Sequence, residues 1–557
     1  MTHWIVAPIV LPAMMAAIIV LIAREHLALQ RVLSMAATVA LALIAAGLAW
    51  HAADGTIAVY LLGDWQAPFG IVLVADRLST TFVLLTAVLA VIVLLYAIGS
   101  GWDGRGRHFH ALFQFQLMGI AGAFLTGDAF NLFVFFEVLL IASYGLMLHS
   151  GGTERYRAGV QYVVYNLLGS TLFLFALGTI YAETGTLNMA HLAQRVAEIG
   201  SEATGGLRVA AVLLLLVFAV KAAILPLHFW LPGAYAHAPA PVAALFAVMT
   251  KIGAYGIIRV YTLVFPPDLA VTQGLFDTWL LPGALLTLAL GMIGVLGSRG
   301  LDRLVAFAVI GSMGMLMASI SVFTEKGISA ALYYAIHSTL ATAALFLLVD
   351  VVRDRRKGPS ARLTAAPPIE GGALIAGMFF AAAIAMTGLP PLSGFLGKLL
   401  ILDAAAQTPA LAWVWAVILG SSLVAVVGFA RAGSTVFWKS HEVAADQARV
   451  TDPEEEQGAH EAADPPARPP VLPLVAIGAL LALLVAVTVL AGPITRYLGA
   501  TTAQLFAPQP YISAVLEKAG KEIADPHGAG HAEGEAAEAP VEDHTGGVAQ
   551  DNEGGSH

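Results

Sequence analysis

Glu137, Lys221, Lys251 and Lys398 each stand well inside a run of apolar residues. If those runs cross a bilayer, each charge costs about 2.5–3.5 kcal/mol at a helix centre. Four unpaired charges would cost on the order of 10–14 kcal/mol, comparable to a whole protein's net stability. They must pair, meet water or face a polar interior, and residues so placed are the usual material of proton relays. A lysine and a carboxylate suit that work. Burial disfavours the charged lysine and an adjacent carboxylate restores it, so a small rearrangement can load or release a proton. For Glu137 the other reading is a structural ion pair that holds two helices together.

The backbone around two of the lysines is broken. Lys221 precedes Pro226, and Lys398 follows Pro390 and Pro391. Proline removes a backbone hydrogen bond, and irregular backbone survives at membrane depth only where it is buried or lines a cavity. The order of lysine and break is opposite in the two segments, as an inverted repeat would produce, and broken helices in matching positions point to a transport path. Simple kinks with interfacial lysines are the plainer alternative. Lys251 lies thirty residues after Lys221, too near the middle of its run to snorkel easily to the interface. His228, His237 and His337 add groups that titrate near neutral pH, although a hydrogen-bonded structural role fits each singly as well. His337 sits between Tyr333-Tyr334 and Ser338-Thr339, a polar patch in an apolar run. Arg259, Asp350, Asp403 and Arg431 lie near run ends and read as interfacial or ion-paired side chains.

These residues need an all-α polytopic membrane protein to position them. Of the 557 residues, 58% are hydrophobic and 12% charged, with a mean hydropathy of +0.80. Soluble domains are roughly 45–50% apolar and about 25% charged, so a soluble enzyme is excluded. Runs of spanning length fall near 3–23, 31–50, 78–99, 109–126, 128–149, 159–181, 209–231, 240–264, 275–297, 303–323, 328–350, 373–403, 411–437 and 471–493, which predicts about 14 transmembrane helices. With the N-terminus outside, the inner loops hold sixteen Lys and Arg against seven outside, and positive loops stay in the cytoplasm. Both termini are therefore expected on the outer side of a bacterial inner membrane. No basic region precedes the first run, which reads as an uncleaved span. The absence of cysteine excludes thiolate-held clusters and disulfides within the chain, and no nucleotide-binding glycine motif occurs in context. Residues 438–470 read as an acidic, Pro-rich cytoplasmic linker and 519–557 as a disordered acidic tail. In that tail, solvation is the favoured reading over metal binding at His527 and His531, so neither a metal nor a cofactor is expected.

The run KAAILPLHFWLPGAYAHAPAPVAAL from Lys221, continued by KIGAYG from Lys251, resembles the antiporter-like membrane subunits of Mrp-type cation/proton antiporters and of the proton-pumping arm of respiratory complex I. NLFVFFE ending at Glu137, the His337 helix and GLPPLSGFLGK ending at Lys398 extend the resemblance across roughly residues 1–500. It is strongest to the D-type branch of the Mrp subunits, and within that to its Pha-type potassium/proton members. The resemblance implies two inverted five-helix repeats, here 109–264 and 275–437, between N-terminal helices in 1–108 and a last helix at 471–493. It implies that Glu137 and Lys221 are a coupled pair, that Lys251 and His337 lie on a central hydrophilic axis, and that Lys398 is an exit lysine, with His228 and His237 as auxiliary groups. Partners would be the other subunits of a hetero-oligomeric antiporter, the bilayer, protons and K⁺ or Na⁺, with no nucleic acid. The sequence departs from the family pattern at Gly233, where relatives usually carry Asp, and at Thr342, where many carry Lys. The alternative is a proton-pumping subunit of complex I or of a membrane-bound hydrogenase. The lateral helix of one complex I subunit is not expected here, because the tail after Pro493 is short and mostly hydrophilic. A structural scaffold, whose charges only hold helices together, is a third reading.

Overall fold

In lipid a backbone must satisfy its own N–H and C=O groups, and a helix does so within one segment. The computed structural model describes residues 2–199, 205–356, 361–369, 371–439 and 471–521. The linker expected at 438–470 lies, beyond Lys439, outside the described residues. So does the tail beyond Lys521, with His527 and His531.

In chain order the described residues form α1 (Ala7–Leu21), α2 (Leu27–Ala52), β1 (Ala58–Leu61), β2 (Val72–Ala75), α3 (Arg77–Gly99), α4 (Phe109–Leu125), α5 (Ala129–Met147), α6 (Thr153–Thr184), α7 (Met189–Ile199), α8 (Gly205–Lys221), α9 (Trp230–His237) and α10 (Ala240–Leu263). There follow α11 (Leu281–Gly297), α12 (Leu301–Ser321), α13 (Glu325–Arg355), α14 (Gly372–Thr387), α15 (Ser393–Ala404), α16 (Leu411–Gly433), α17 (Val471–Val489), α18 (Ala491–Phe506) and α19 (Gln509–Leu516). Among these residues ten helical segments are long and apolar enough to cross a membrane, and α1, α4 and α14 are shorter apolar helices.

Capping residues set several boundaries. Asp76 and Ser79 form a reciprocal box at the start of α3, and Asp128 accepts from the Asn131 N–H to open α5. The strands β1 and β2 pair antiparallel, Ala58 opposite Ala75. This hairpin lies between two apolar runs, where hydropathy carries no signal for it.

Burial separates centre from rim. The apolar windows of α10, α12 and α13 are each 94% buried, against 28% for the segment that contains α16 and 33% for α17. α13 packs on α10, α12, α15, α17 and α18, so α10 and α13 form the axis of the molecule. A rim helix can be apolar all round because lipid or a partner covers it; a central one must match its neighbours group for group. The chain after Pro493 is not merely a hydrophilic tail. α18 buries Leu498, Thr501, Thr502 and Leu505, and α19 buries Tyr511, Ile512 and Val515. Both are amphipathic, which keeps their mean hydropathy too low to read as spans.

Candidate functional site

Both broken helices place a lysine at a helix C-terminus. α8 ends at Lys221, and residue 223 adopts a left-handed φ of 54° before α9 begins at Trp230. The freed backbone finds partners: Trp230 Nε1 donates to Val220 O at 3.0 Å, and Leu225 N–H donates to Thr287 Oγ1 at 2.9 Å. α14 ends at Thr387 and the chain restarts at Ser393. There Lys398 Nζ donates to the Thr387 carbonyl at 2.5 Å and to Ser422 Oγ at 2.6 Å. The last carbonyls of a helix lack intrahelical donors and carry the negative end of its dipole, so each break offers a seat for a cation. Glycine makes the second seat possible. A Cβ on Gly388 (φ 73°) would sit 2.6 Å from Lys398 Cδ.

Lys221 is buried. Its ammonium donates to Asn166 Oδ1 of α6 at 3.3 Å and lies 5.5 Å from the centroid of the Phe136 ring. No hydrogen bond or ion pair joins it to Glu137, and among the described residues Glu137 Oε1 is buried without a hydrogen-bond partner. Glu137 lies one residue beyond Phe136 on α5, and Phe136, not the carboxylate, meets the ammonium. The two remain near enough to interact electrostatically.

Lys251 sits in the middle of α10 with no exposure at all, and among the described residues its Nζ has no hydrogen-bond partner. His337, on α13, is equally buried; its Nδ1 pairs with Ser393 Oγ at 2.9 Å while Nε2 has no partner. Gly394 lets the start of α15 approach so closely, since a Cβ there would lie 2.9 Å from His337 Nε2. Thr342, which stands where the family pattern favours a lysine, is fully buried with an unpartnered hydroxyl. Tyr334 OH and Ser170 Oγ are likewise buried and unpartnered. Polar groups in such surroundings are characteristically satisfied by ordered water. Lysine, histidine and hydroxyl groups are thus buried in the interior of the described residues, at the two breaks and on α10 and α13 between them in the chain.

Among the described residues no hydrogen bond joins the two auxiliary histidines to these groups. His228 lies in the break, half-buried, with its ring 4.4 Å from that of Phe229. His237 Nδ1 is held by the Gly233 carbonyl at 2.8 Å. A Cβ on Gly233 would meet Gln161 Oε1 at 3.5 Å, an ordinary contact, so the missing Asp leaves room and not a clash.

The charges near run ends are paired, as expected. Asp403 meets Lys326 at 2.7 Å, Arg431 donates to Ser298 O at 2.6 Å, and Asp350 accepts from Trp102 Nε1 at 2.7 Å and Tyr96 OH at 2.9 Å. Arg259 forms a buried pair with Asp76 at 2.6 Å. Sequence reasoning missed Asp76, Asn166, Ser393 and Ser422. Asn166, an amide well inside an apolar run, was the one detectable signal. Among the described residues no cluster of three or more His, Asp or Glu is arranged to hold a metal ion.

Comparison with known proteins adds to this geometry. Residues 126–425 match the family described as NADH:quinone oxidoreductase/Mrp antiporter, TM. The chain is similar to the D-type subunit of a probable K(+)/H(+) antiporter of Rhizobium meliloti, 37% identical over 92% of this chain and 97% of that one. It is also similar to the D-type subunit of the Na(+)/H(+) antiporter of Alkalihalophilus pseudofirmus, 36% identical over 93% of this chain and 100% of that one. Among solved structures, a chain of the Mrp complex from Dietzia sp. superposes with a TM-score of 0.80 at 28% identity, covering 93% of this chain and 100% of that one.

Proposed function

The chain belongs to the NADH:quinone oxidoreductase/Mrp antiporter membrane family, and from that premise we propose that it is the proton-carrying D-type subunit of a multi-subunit monovalent cation/proton antiporter. The observation that carries the reading is the row of buried ionisable groups strung between two broken helices, Lys221, Lys251, His337 and Lys398. In this reading the apolar helices make fourteen crossings. The stretches 109–264 and 275–437 are inverted halves, and both termini lie outside.

A proton taken up at one half is held at Lys221, passes through Lys251 and His337, and leaves from Lys398. The seats differ in a way that favours transfer. Lys221 and Lys398 have oxygen acceptors and helix C-termini, which stabilise an ammonium, whereas Lys251 has neither. A proton therefore rests at the ends and crosses the middle quickly. Glu137 acts as a movable counter-charge: brought to the Lys221 ammonium it holds the proton, and withdrawn behind Phe136 it lets the proton go. The membrane potential, worth about 2.3 kcal/mol per charge per 100 mV, supplies the drive. Other subunits of the complex complete the exchange with K⁺ or Na⁺.

The test is cation-driven proton flux in everted vesicles that carry the complete complex, wild type against Lys221→Ala, with assembly followed on native gels. Flux should disappear while assembly persists, and the cation that drives wild-type flux identifies the exchanged ion. Wild-type flux in Lys221→Ala would make the buried lysines structural.

A further inference from the structure

Lys251, Tyr255 and Arg259 succeed one another at intervals of four along α10. Side chains so spaced share one face of a helix, so a stripe of polar groups runs from the middle of the bundle toward the end where the β1–β2 hairpin sits. The stripe is hydrogen-bonded at its far end. Tyr255 OH donates to Phe124 O at 2.5 Å and accepts from Arg259 Nε at 3.3 Å. Arg259 grips Asp76 through two nitrogens, at 2.6 and 2.8 Å, and these side chains are only 4% and 2% exposed. Asp76 also caps α3, accepting from Ser79 N–H at 2.8 Å.

A buried pair that merely tied α3 to α10 would need nothing more. Here α18 and α19 lie over it. The Arg259 guanidinium is 5.2 Å from the centroid of the Tyr511 ring, and Tyr511 OH is buried with no hydrogen-bond partner in the protein. Asp76, Arg259, Gln504 and Tyr511 together line a cavity of about 10 Å³, the size that admits a single water. An acid, a cation, a phenol and room for one water thus meet at the outer end of a stripe that begins at the unpartnered Lys251 ammonium.

We infer that Asp76 and Arg259 form a second, outward opening of the proton path, branching from Lys251 ahead of the exit at Lys398, with Tyr255 as the bridge and α18–α19 as the cover, an inference that rests on the relay reading above. The Tyr255 hydroxyl turns from the Phe124 carbonyl, takes a proton from the Lys251 ammonium and passes its own proton on toward Asp76. Lys251 becomes the neutral amine, Tyr255 is unchanged, and the Asp76 carboxylate becomes a carboxylic acid. Neutral Asp76 loosens its hold on Arg259, which stays cationic throughout. Asp76 then gives the proton to water reached past Tyr511, and the ion pair re-forms, closing the path against return.

The test uses the complete complex in everted vesicles, with flux driven by added K⁺ or Na⁺. Asp76→Asn keeps the cap and the volume but cannot carry a proton, and its flux should fall at least tenfold in complexes that still assemble. Asp76→Glu should recover much of that flux with a displaced pH midpoint, and a purely structural pair would leave the midpoint where it is. Tyr255→Phe should lower flux several-fold. If Asp76→Asn fails to assemble, Asp76→Glu and Tyr255→Phe decide, and wild-type flux with an unmoved midpoint in both overturns the inference. Lys251→Met, measured alongside, separates this claim from the relay itself. Flux lost in Lys251→Met but intact in Asp76→Asn overturns the outward opening and leaves the relay standing; flux intact in both overturns both.

Discussion

Replacing Gly388 by alanine adds one methyl group to the seat of Lys398 and replaces no ionisable residue. The left-handed φ of 73° makes any Cβ unfavourable there, by about 1–2 kcal/mol. That is small against the roughly 5–15 kcal/mol of a typical folded protein, so the subunit should still fold and assemble. The larger effect is local. The new methyl carbon would lie 2.6 Å from Lys398 Cδ and 3.0 Å from Nζ, so the lysine side chain must move. Moving it breaks the 2.5 Å bond to Thr387 O and the 2.6 Å bond to Ser422 Oγ. Hydrogen bonds of a charged group contribute about 1.5–3 kcal/mol each, so the protonated lysine loses on the order of 3–6 kcal/mol of stabilisation at this position. At about 1.4 kcal/mol per tenfold change, occupancy of the exit by a proton falls at least ~100-fold. Cation-driven flux in everted vesicles, normalised to assembled complex on native gels, should fall correspondingly. Gly420→Ala is the matched control, since a Cβ there meets nothing within 4 Å, and it should transport normally. Normal flux in Gly388→Ala would show that the seat of Lys398 is irrelevant to transport and would sink the argument.

Asn166→Ala removes the one oxygen among the described residues that accepts from Lys221, at 3.3 Å, and should lower flux about tenfold, the equivalent of a single weak charge-assisted bond of roughly 1.5 kcal/mol. Asp403→Asn breaks only a surface pair with Lys326, whose side chains are 54% and 62% exposed, so flux and thermal stability should both stay at wild-type level. Asp103 lies in the connection between α3 and α4, where it accepts from Arg31 at 2.6 Å and meets His110 at 3.1 Å. Burial opposes its charge, but the His110 and Arg31 contacts outweigh burial and hold its pKa below the ordinary 3.8. A carboxylate depressed in the folded state contributes stability that is complete above its unfolded value and is lost as pH falls through the folded one. Thermal melting of the detergent-solubilised complex should therefore weaken below about pH 4, and Asp103→Asn should flatten that part of the profile.

Hydropathy and charge cost made the outline of the molecule legible before any coordinates. A lysine in mid-span is so unfavourable that Lys221, Lys251 and Lys398 marked the interior by themselves, and prolines 226 and 390 marked the breaks. What they touch was not legible. Asn166, Thr387 and Ser422 lie far along the chain from the lysines they serve or act through a main-chain carbonyl, so no local spacing announces them. The family resemblance implied that Glu137 and Lys221 are a coupled pair, and it is the Phe136 ring that lies beside the ammonium. Arg259 read as interfacial or ion-paired because it lies near the end of its run, but its partner Asp76, 183 positions away, was not legible. α18 and α19 escaped notice because an amphipathic helix that packs over others needs only one apolar face.

The most direct test of the central claim replaces Lys251 by methionine in the complete complex, with cation-driven flux and thermal melting measured on the same preparation. Lys251 Nζ has no protein partner, so an apolar chain of similar shape removes a buried charge at no loss of contacts. The account predicts that flux vanishes while the melting temperature is unchanged or higher. Normal flux, or lost flux together with a collapse of stability and assembly, would contradict a proton-carrying lysine at the centre of the path.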